Sequence, residues 1–142
     1  ATVCGDRIYM LGGEDKSGNP TKSAFACSVN ALLRSRSKFL RALSPGVWRQ
    51  VADLPVTYST CESFHGRLLA IGGKDDSWKA TTAVYMYNST TNSWNIMSHM
   101  TTGRYDCFTA VLPSNQLMVV GGMTGPSILA STDTVELASE VM

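Results

Sequence analysis

The sequence predicts an all-β protein built from repeated four-stranded antiparallel sheets, and three observations lead to that fold class. An apolar run that ends in two glycines occurs three times, at Gly12-Gly13, Gly72-Gly73 and Gly121-Gly122. Trp48 and Trp94 lie 46 residues apart, and a cysteine follows each of them after 13 residues. The second and third glycine pairs are separated by 49 residues. A repeat of about 50 residues with this pattern is the spacing of a four-stranded β-propeller blade.

The first blade is expected over about residues 1–54. A polar loop from Glu14 to Lys22 contains Ser17-Gly18-Asn19-Pro20, four residues that favour turns. The blade's predicted strands are the run ending at Val3-Cys4, Ile8 to Leu11, Ala24 to Val29, and Val47 to Val51.

A basic insert interrupts the first blade over about Asn30 to Gly46. It holds Arg34, Arg36, Lys38 and Arg41 without one acidic residue, and its apolar residues fall at helix-like intervals. Two interpretations stay open: a docking element for an acidic partner, or a solvated loop or short helix that covers the outer edge of the blade.

The second blade is expected over about residues 55–100 and the third over about 101–142. The second blade has four predicted strands, Ser59 to Phe64, Leu68 to Ile71, Ala83 to Tyr87 and Ser93 to Met97. The third has three, Asp106 to Leu112, Leu117 to Val120 and Thr134 to Ala138, and is expected to lack its last strand. The sequence thus predicts an incomplete propeller.

Composition excludes several classes of function. The chain has 142 residues, 44% of them hydrophobic, and a net charge of +1, which is typical of soluble globular proteins. Twelve basic residues against 11 acidic ones provide no basic face for nucleic acid. No window approaches the roughly 20 apolar residues that span a bilayer, so no membrane contact is expected.

The cysteines and histidines indicate neither disulfides nor a metal site. No C-x-x-C pair occurs, which favours reduced thiols in a cytoplasmic protein over a disulfide framework. His65 and His99 are solitary, so no metal or other cofactor is expected. The four thiols are dispersed through strand-like runs, at Cys4, Cys27, Cys61 and Cys107.

The repeated motif resembles the kelch repeat, in which a strand ends in Gly-Gly, an aromatic follows in the third strand and a Trp follows about 20 residues after the glycines. The resemblance covers nearly the whole chain outside the insert, and it implies that further blades are needed to close the propeller. The residues that match the motif are expected to pack blades together rather than to bind: Gly12, Gly13, Trp48, Gly72, Gly73, Tyr85 or Tyr87, Trp94, Gly121 and Gly122.

Loops on one face of such a propeller are the expected site of binding. Arg104 precedes the inner strand of the third blade, where similar kelch domains place an arginine that binds an acidic peptide. Tyr58 is taken as the matching residue of the second blade, and it departs from that arginine. The alternative for Arg104 is an ion pair that braces adjacent blades. A second candidate contact cluster, in the loop from Lys74 to Thr81, consists of Asp75, Asp76, Trp78 and Lys79.

The resemblance implies a module that binds protein partners, of the kind that recognises substrates for cullin ubiquitin ligases. Two alternatives remain: a kelch-propeller enzyme of the epimerase or oxidase type, and an actin-associated structural protein. No G-x-S-x-G sequence, paired carboxylate motif or phosphate-binding loop is present, so no catalytic residue is assigned.

Overall fold

The computed structural model describes residues 1–30, 48–114 and 116–136. The insert predicted over Asn30 to Gly46 lies outside these residues from position 31 onward, as do positions 137–142 at the end of the third blade. The strands of the described part are, in chain order, β1 Thr2–Cys4, β2 Arg7–Leu11, β3 Ala24–Ser28, β4 Arg49–Val51, β5 Thr60–Phe64, β6 Arg67–Ile71, β7 Ala83–Asn88, β8 Ser93–His99, β9 Phe108–Val111, β10 Gln116–Val120, β11 Met123–Thr124, β12 Ser127–Ile128 and β13 Thr132–Glu136.

In the first two sheets, strands that are consecutive in the sequence are also hydrogen-bonded to each other. The first sheet has the order β1-β2-β3-β4 and the second the order β5-β6-β7-β8, with every pairing antiparallel. In the third, β10 lies between β9 and β13. The predicted all-β fold of four-stranded propeller blades is therefore confirmed, and we refer to the sheets as blades one, two and three.

The loop of blade three differs from the expected irregular segment. Residues 123–132 contain a two-stranded ribbon, in which β11 pairs with β12. Gly125 takes a φ of +56° at the turn between the two strands. This left-handed conformation is open to glycine at little cost, and it matches the twist that a tight hairpin requires.

The core lies between the blades, because neighbouring sheets pack face to face, and blade two is buried on both faces. One cluster joins blades one and two and contains Tyr9, Ala24, Ala26, Val51 and Leu68. A larger cluster joins blades two and three and contains Phe64, Leu69, Ile71, Val84, Met100, Cys107, Leu117, Val119 and Val135. Most residues of both clusters lie on strands, where successive side chains point to opposite faces of the sheet.

Aromatic side chains fill the seam between blades one and two. The ring of Tyr87 lies 5.2 Å from that of Trp94 and 6.0 Å from that of Tyr9, measured between centroids. The Trp94 indole N–H donates to the carbonyl of Ala52 at 3.0 Å, so the tryptophan also holds the exit of blade one. Within the described residues no helix has the length and apolar character needed to cross a membrane.

Candidate functional site

One end of the blades carries the loops that follow β2, β6 and β10 and the segments that cross between blades. We call this surface, formed by residues 14–22, 55–59, 74–81, 101–106 and 123–132, the loop face. Two reciprocal backbone pairs fix it: Thr57 exchanges hydrogen bonds of 2.7 and 3.0 Å with Lys74, and Tyr105 exchanges bonds of 2.9 and 3.0 Å with Met123. Each crossing segment is therefore held rigidly against the loop of the blade that it enters.

An aspartate organises the turn of each of the first two loops. The Asp15 carboxylate accepts the backbone N–H groups of Ser17 and Asn19 at 2.8 and 2.9 Å. Asp75 accepts those of Ser77 and Lys79 at 2.8 and 3.0 Å. The bonds from the Asn19 and Ser17 backbone lower the pKa of Asp15. Asp75 is therefore first a turn residue, which shapes the loop that the sequence singled out.

Trp78 occupies the position of this turn at which blade one has a glycine. Gly18 has a φ of +77° and Trp78 a φ of +62°, so the bulky side chain sits in the left-handed region that L-residues rarely adopt. The Trp78 side chain is nevertheless 62% exposed. Because strained residues concentrate at functional sites, the replacement of a permissive glycine by an exposed tryptophan suggests a binding role.

Three aromatic rings surround the ammonium group of Lys74. Its Nζ lies 4.2 Å from the centroid of the Tyr105 ring and 5.4 Å from the centroids of both Tyr58 and Trp78. The rings of Tyr58 and Tyr105 are themselves 6.2 Å apart. We call these four residues the aromatic cluster. It brings Tyr58 and Trp78, two of the predicted contact residues, to one cation.

Replacing Lys74 with methionine, which keeps a long unbranched side chain but removes the charge, is expected to lower the free energy of unfolding by about 1 kcal/mol through loss of cation–π attraction. Equilibrium urea unfolding measures this change. Lys79→Met, in the same loop, serves as the control and should leave stability within about 0.5 kcal/mol of the parent. Equal losses of unfolding free energy in both variants would contradict a stabilising role of the aromatic cluster.

Asp76 and Lys22 link the loops of blades one and two. The Lys22 ammonium pairs with the Asp76 carboxylate. A cavity of about 140 Å³ beside this pair is lined by Pro20, Lys22, Thr57, Asp75, Asp76 and Trp78. The structure therefore places three predicted contact residues, Asp75, Asp76 and Trp78, around one depression. Lys79 lies in the same loop, with its backbone N–H bound to Asp75.

The prediction for Arg104 requires a correction, because the structure places its side chain in the interior and not on the surface where it could bind an acidic peptide. It is 0% exposed, and its Nη2 lies 2.8 Å from Oδ2 of Asp133. Nη1 donates to the carbonyls of Gly121 and Ser131 at 2.8 and 3.0 Å. The Arg104 carbonyl accepts the N–H of Gly73 in blade two at 2.9 Å. The ion pair thus joins the crossing into blade three to β13 of the same blade, and the link to blade two is made by the Arg104 backbone. The alternative of an ion pair is therefore the better description, although the pair lies within one blade, and Arg104 is left out of the contact surface proposed below.

The repeat register assigned to Tyr58 also changes. Because Thr57 and Tyr105 make equivalent backbone pairs, the residue of blade three that matches Tyr58 is Asp106, and Val56 matches Arg104. Tyr58 and Asp106 share a left-handed backbone, with φ values of +54° and +50°. This two-residue offset has no direct signal in the sequence, since crossing segments lack the period of strands.

The geometry agrees with comparisons to known sequences. A profile of the Kelch motif matches residues 55–101, from the crossing into blade two to the end of that blade. This chain contains a Kelch motif. It is 28% identical over 131 residues to Kelch-like protein 41b of Danio rerio, an alignment that covers 91% of the chain and 19% of that relative. The chain thus spans about a fifth of the length of the curated protein it matches.

A solved structure shows the same kelch fold in three dimensions. The structure titled "Structure of YjhT" superposes with a TM-score of 0.66 over 96% of this chain and 41% of that one. Sequence identity is 16%, so the likeness concerns the fold alone. Because function depends on sites carried by a fold and not on the fold itself, the loop face is taken as the candidate site of this chain.

The sequence analysis did not single out three residues that take part in the contacts described above: Lys74, Tyr105 and Asp133. Lys74 is the first residue of a predicted loop and Tyr105 lies in a crossing segment, but nothing in their spacing indicates that their side chains meet. Asp133 did carry a signal, since it alternates with exposed Thr132 and Thr134 and shares the inward face of β13 with Val135. A carboxylate at an inward strand position needs a buried partner, and Arg104 is that partner.

Proposed function

We propose that this kelch chain is a protein-interaction module whose loop face binds a protein partner through Trp78. The observation that carries the proposal is the largely exposed indole on a fixed loop, held in a left-handed conformation beside a cation and two tyrosines. Aromatic side chains combine a large contact area with little conformational entropy to lose on binding. The Asx-type turn at Asp75 fixes the loop before any partner arrives.

We propose a scaffold role without enzymatic activity, and its support is the Kelch motif together with the likeness to a Kelch-like protein. Two thiols are also unsuited to act as nucleophiles. Burial raises the pKa of Cys61, and burial likewise raises that of Cys107. Both thiols therefore stay protonated at neutral pH.

The finer role that we propose is substrate recognition for a cullin ubiquitin ligase in the cytoplasm. Its support is the likeness to a Kelch-like protein, and it would be tested by whether ubiquitylation of a bound partner depends on this chain. Further kelch blades would cover the free face of blade three. In support, Phe108 and Val120 face each other across β9 and β10 and are 76% and 37% exposed.

Trp78→Gly is expected to abolish partner capture while leaving the fold intact. Glycine is the residue of blade one at this position, and it relieves the left-handed strain, so unfolding free energy should be unchanged or higher by up to about 1 kcal/mol. Partners retained by the immobilised chain would be identified by mass spectrometry, then purified and titrated against each variant. Loss of a hot-spot tryptophan should weaken affinity by about 2 kcal/mol or more, roughly thirtyfold.

The matched control is Ile96→Ser, which removes an exposed apolar side chain from the outer strand β8, away from the loop face. It should keep the affinity of the parent for the same purified partner. If Trp78→Gly also binds the partner like the parent, Trp78 is not part of the contact surface. Comparable losses in both variants would contradict a localised site as well.

A further inference from the structure

A second cavity on the loop face lies between blade one and the crossings into blades two and three. Its volume is about 260 Å³, and its lining residues come from the end of β2 and from the two crossing segments: Leu11, Gly12, Gly13, Glu14, Leu54, Tyr58, Ser59 and Asp106. Leu54 is buried, so it forms the base, while Glu14 and Asp106 are exposed at the rim. The cavity thus has an apolar base, an aromatic wall and a polar rim.

The charge of this cavity has one sign. Glu14 and Asp106 are its two ionisable acids, and none of its lining residues is a lysine or arginine. Between described residues the structure forms ion pairs at Lys22–Asp76 and Arg104–Asp133, and neither involves Glu14 or Asp106. Among the described residues neither rim carboxylate thus forms an ion pair, and the two negative charges favour a positively charged occupant.

Backbone hydrogen bonds position Glu14 and Asp106 on separate elements. Glu14 pairs with Pro20 across its loop, and the Asp106 N–H donates to the carbonyl of Tyr58 at 3.3 Å. The left-handed backbone at Tyr58 and Asp106 fixes both residues beside the cavity. Lys74 shows that a cation is attracted to the Tyr58 ring, since its Nζ lies 5.4 Å from the ring centroid.

We propose that this cavity binds the guanidinium group of an arginine side chain from the protein partner. A guanidinium donates hydrogen bonds in several directions within one plane, so it can reach both Glu14 and Asp106 and stack on Tyr58. The aliphatic stem of the arginine would contact Leu11 and Leu54. This inference rests on the proposed binding function and gives the partner a basic residue. The sequence-based prediction of an acidic peptide partner depended on Arg104, whose charge is paired with Asp133 in the interior.

The test titrates the chain with Nα-acetyl-arginine methylamide and, as an isosteric uncharged probe, Nα-acetyl-citrulline methylamide. Chemical-shift changes of backbone amides locate and quantify binding. The arginine probe should shift the amides of Gly13, Tyr58 and Asp106, with affinity at least about fivefold higher than citrulline because two carboxylates contribute. Added salt should weaken the arginine probe because exposed charges are screened.

Glu14→Gln combined with Asp106→Asn should reduce arginine affinity about fivefold, to the level of citrulline. Asp6→Asn is the matched control, since it removes one negative charge at the β1–β2 turn, at the opposite end of blade one. It should bind arginine like the parent. Equal binding of both probes, or shifts centred away from the cavity, would overturn the proposal. That failure is separable from failure of the interaction function, which the Trp78 variant tests with a protein partner.

Discussion

Replacing Arg104 with methionine is expected to lower the free energy of unfolding by about 3–5 kcal/mol, the largest effect of any single substitution considered for this chain. The substitution removes four hydrogen bonds that the guanidinium donates, and it leaves the Asp133 carboxylate buried without its cation. A charge stranded in the interior costs far more than the ion pair itself contributes to stability. Urea unfolding monitored by tryptophan fluorescence gives the magnitude.

The double variant Arg104→Met with Asp133→Asn separates the stranded charge from lost packing. Asparagine keeps a carbonyl oxygen to accept an N–H of Thr101 or Thr102, which bind the two carboxylate oxygens in the native protein at 2.9 and 3.3 Å. The double variant should be about 2 kcal/mol more stable than Arg104→Met alone. Destabilisation that simply adds across the two substitutions would argue against the buried pair as its cause.

The pH dependence provides a second readout of the same pair. Burial tends to raise the pKa of Asp133, but the hydrogen bonds from Thr101, Arg104 and Thr102 outweigh it, and the pKa falls below its ordinary value of 3.8. A lowered native pKa means that the carboxylate contributes stability at pH values above 3.8, and the contribution is lost as pH falls through the native pKa. The parent should therefore lose stability on acidification more steeply than the double variant does.

Gly72→Ala is expected to cost about 3 kcal/mol or more, because the new methyl group has no room. A Cβ at this position would lie 2.1 Å from the carbonyl oxygen of Arg104 and 3.2 Å from the Met100 methyl group. The backbone cannot yield easily, since the same Arg104 carbonyl accepts the N–H of Gly73. The φ of +61° adds the strain of a left-handed L-residue. Thermal and urea unfolding measure the loss.

The repeat supplies its own control for this prediction. Gly121 occupies the same place in blade three with a φ of +64°, but its nearest atom to a new Cβ is the Leu129 carbonyl at an ordinary 3.5 Å. Gly121→Ala should therefore cost only the conformational strain, about 1–2 kcal/mol. Equal costs at Gly72 and Gly121 would show that conformation alone, and not the close approach of the next blade, explains the glycine motif.

Much of the fold followed from the sequence because strand registers repeat. The period of the glycine pairs and tryptophans predicted the blades, and Trp94 does pack in the seam between two of them. The exposure of one contact residue could also be predicted from the sequence, since a tryptophan among polar turn residues has few apolar neighbours to bury it. Trp78 is exposed, as a contact role requires.

The sequence by itself determined the fold class, the repeat and the loop that carries Trp78, since these depend on local composition and on a fixed period. Tertiary structure alone decided what the single charged residues do. The sequence predicted a surface role for Arg104, but the inward face of β13 places Asp133 beside it. Glu14 and Asp106 line one cavity only because the loop of blade one lies next to the crossing into blade three. Charge effects depend on distance and burial, and side chains brought together across blades leave no periodic trace in the chain.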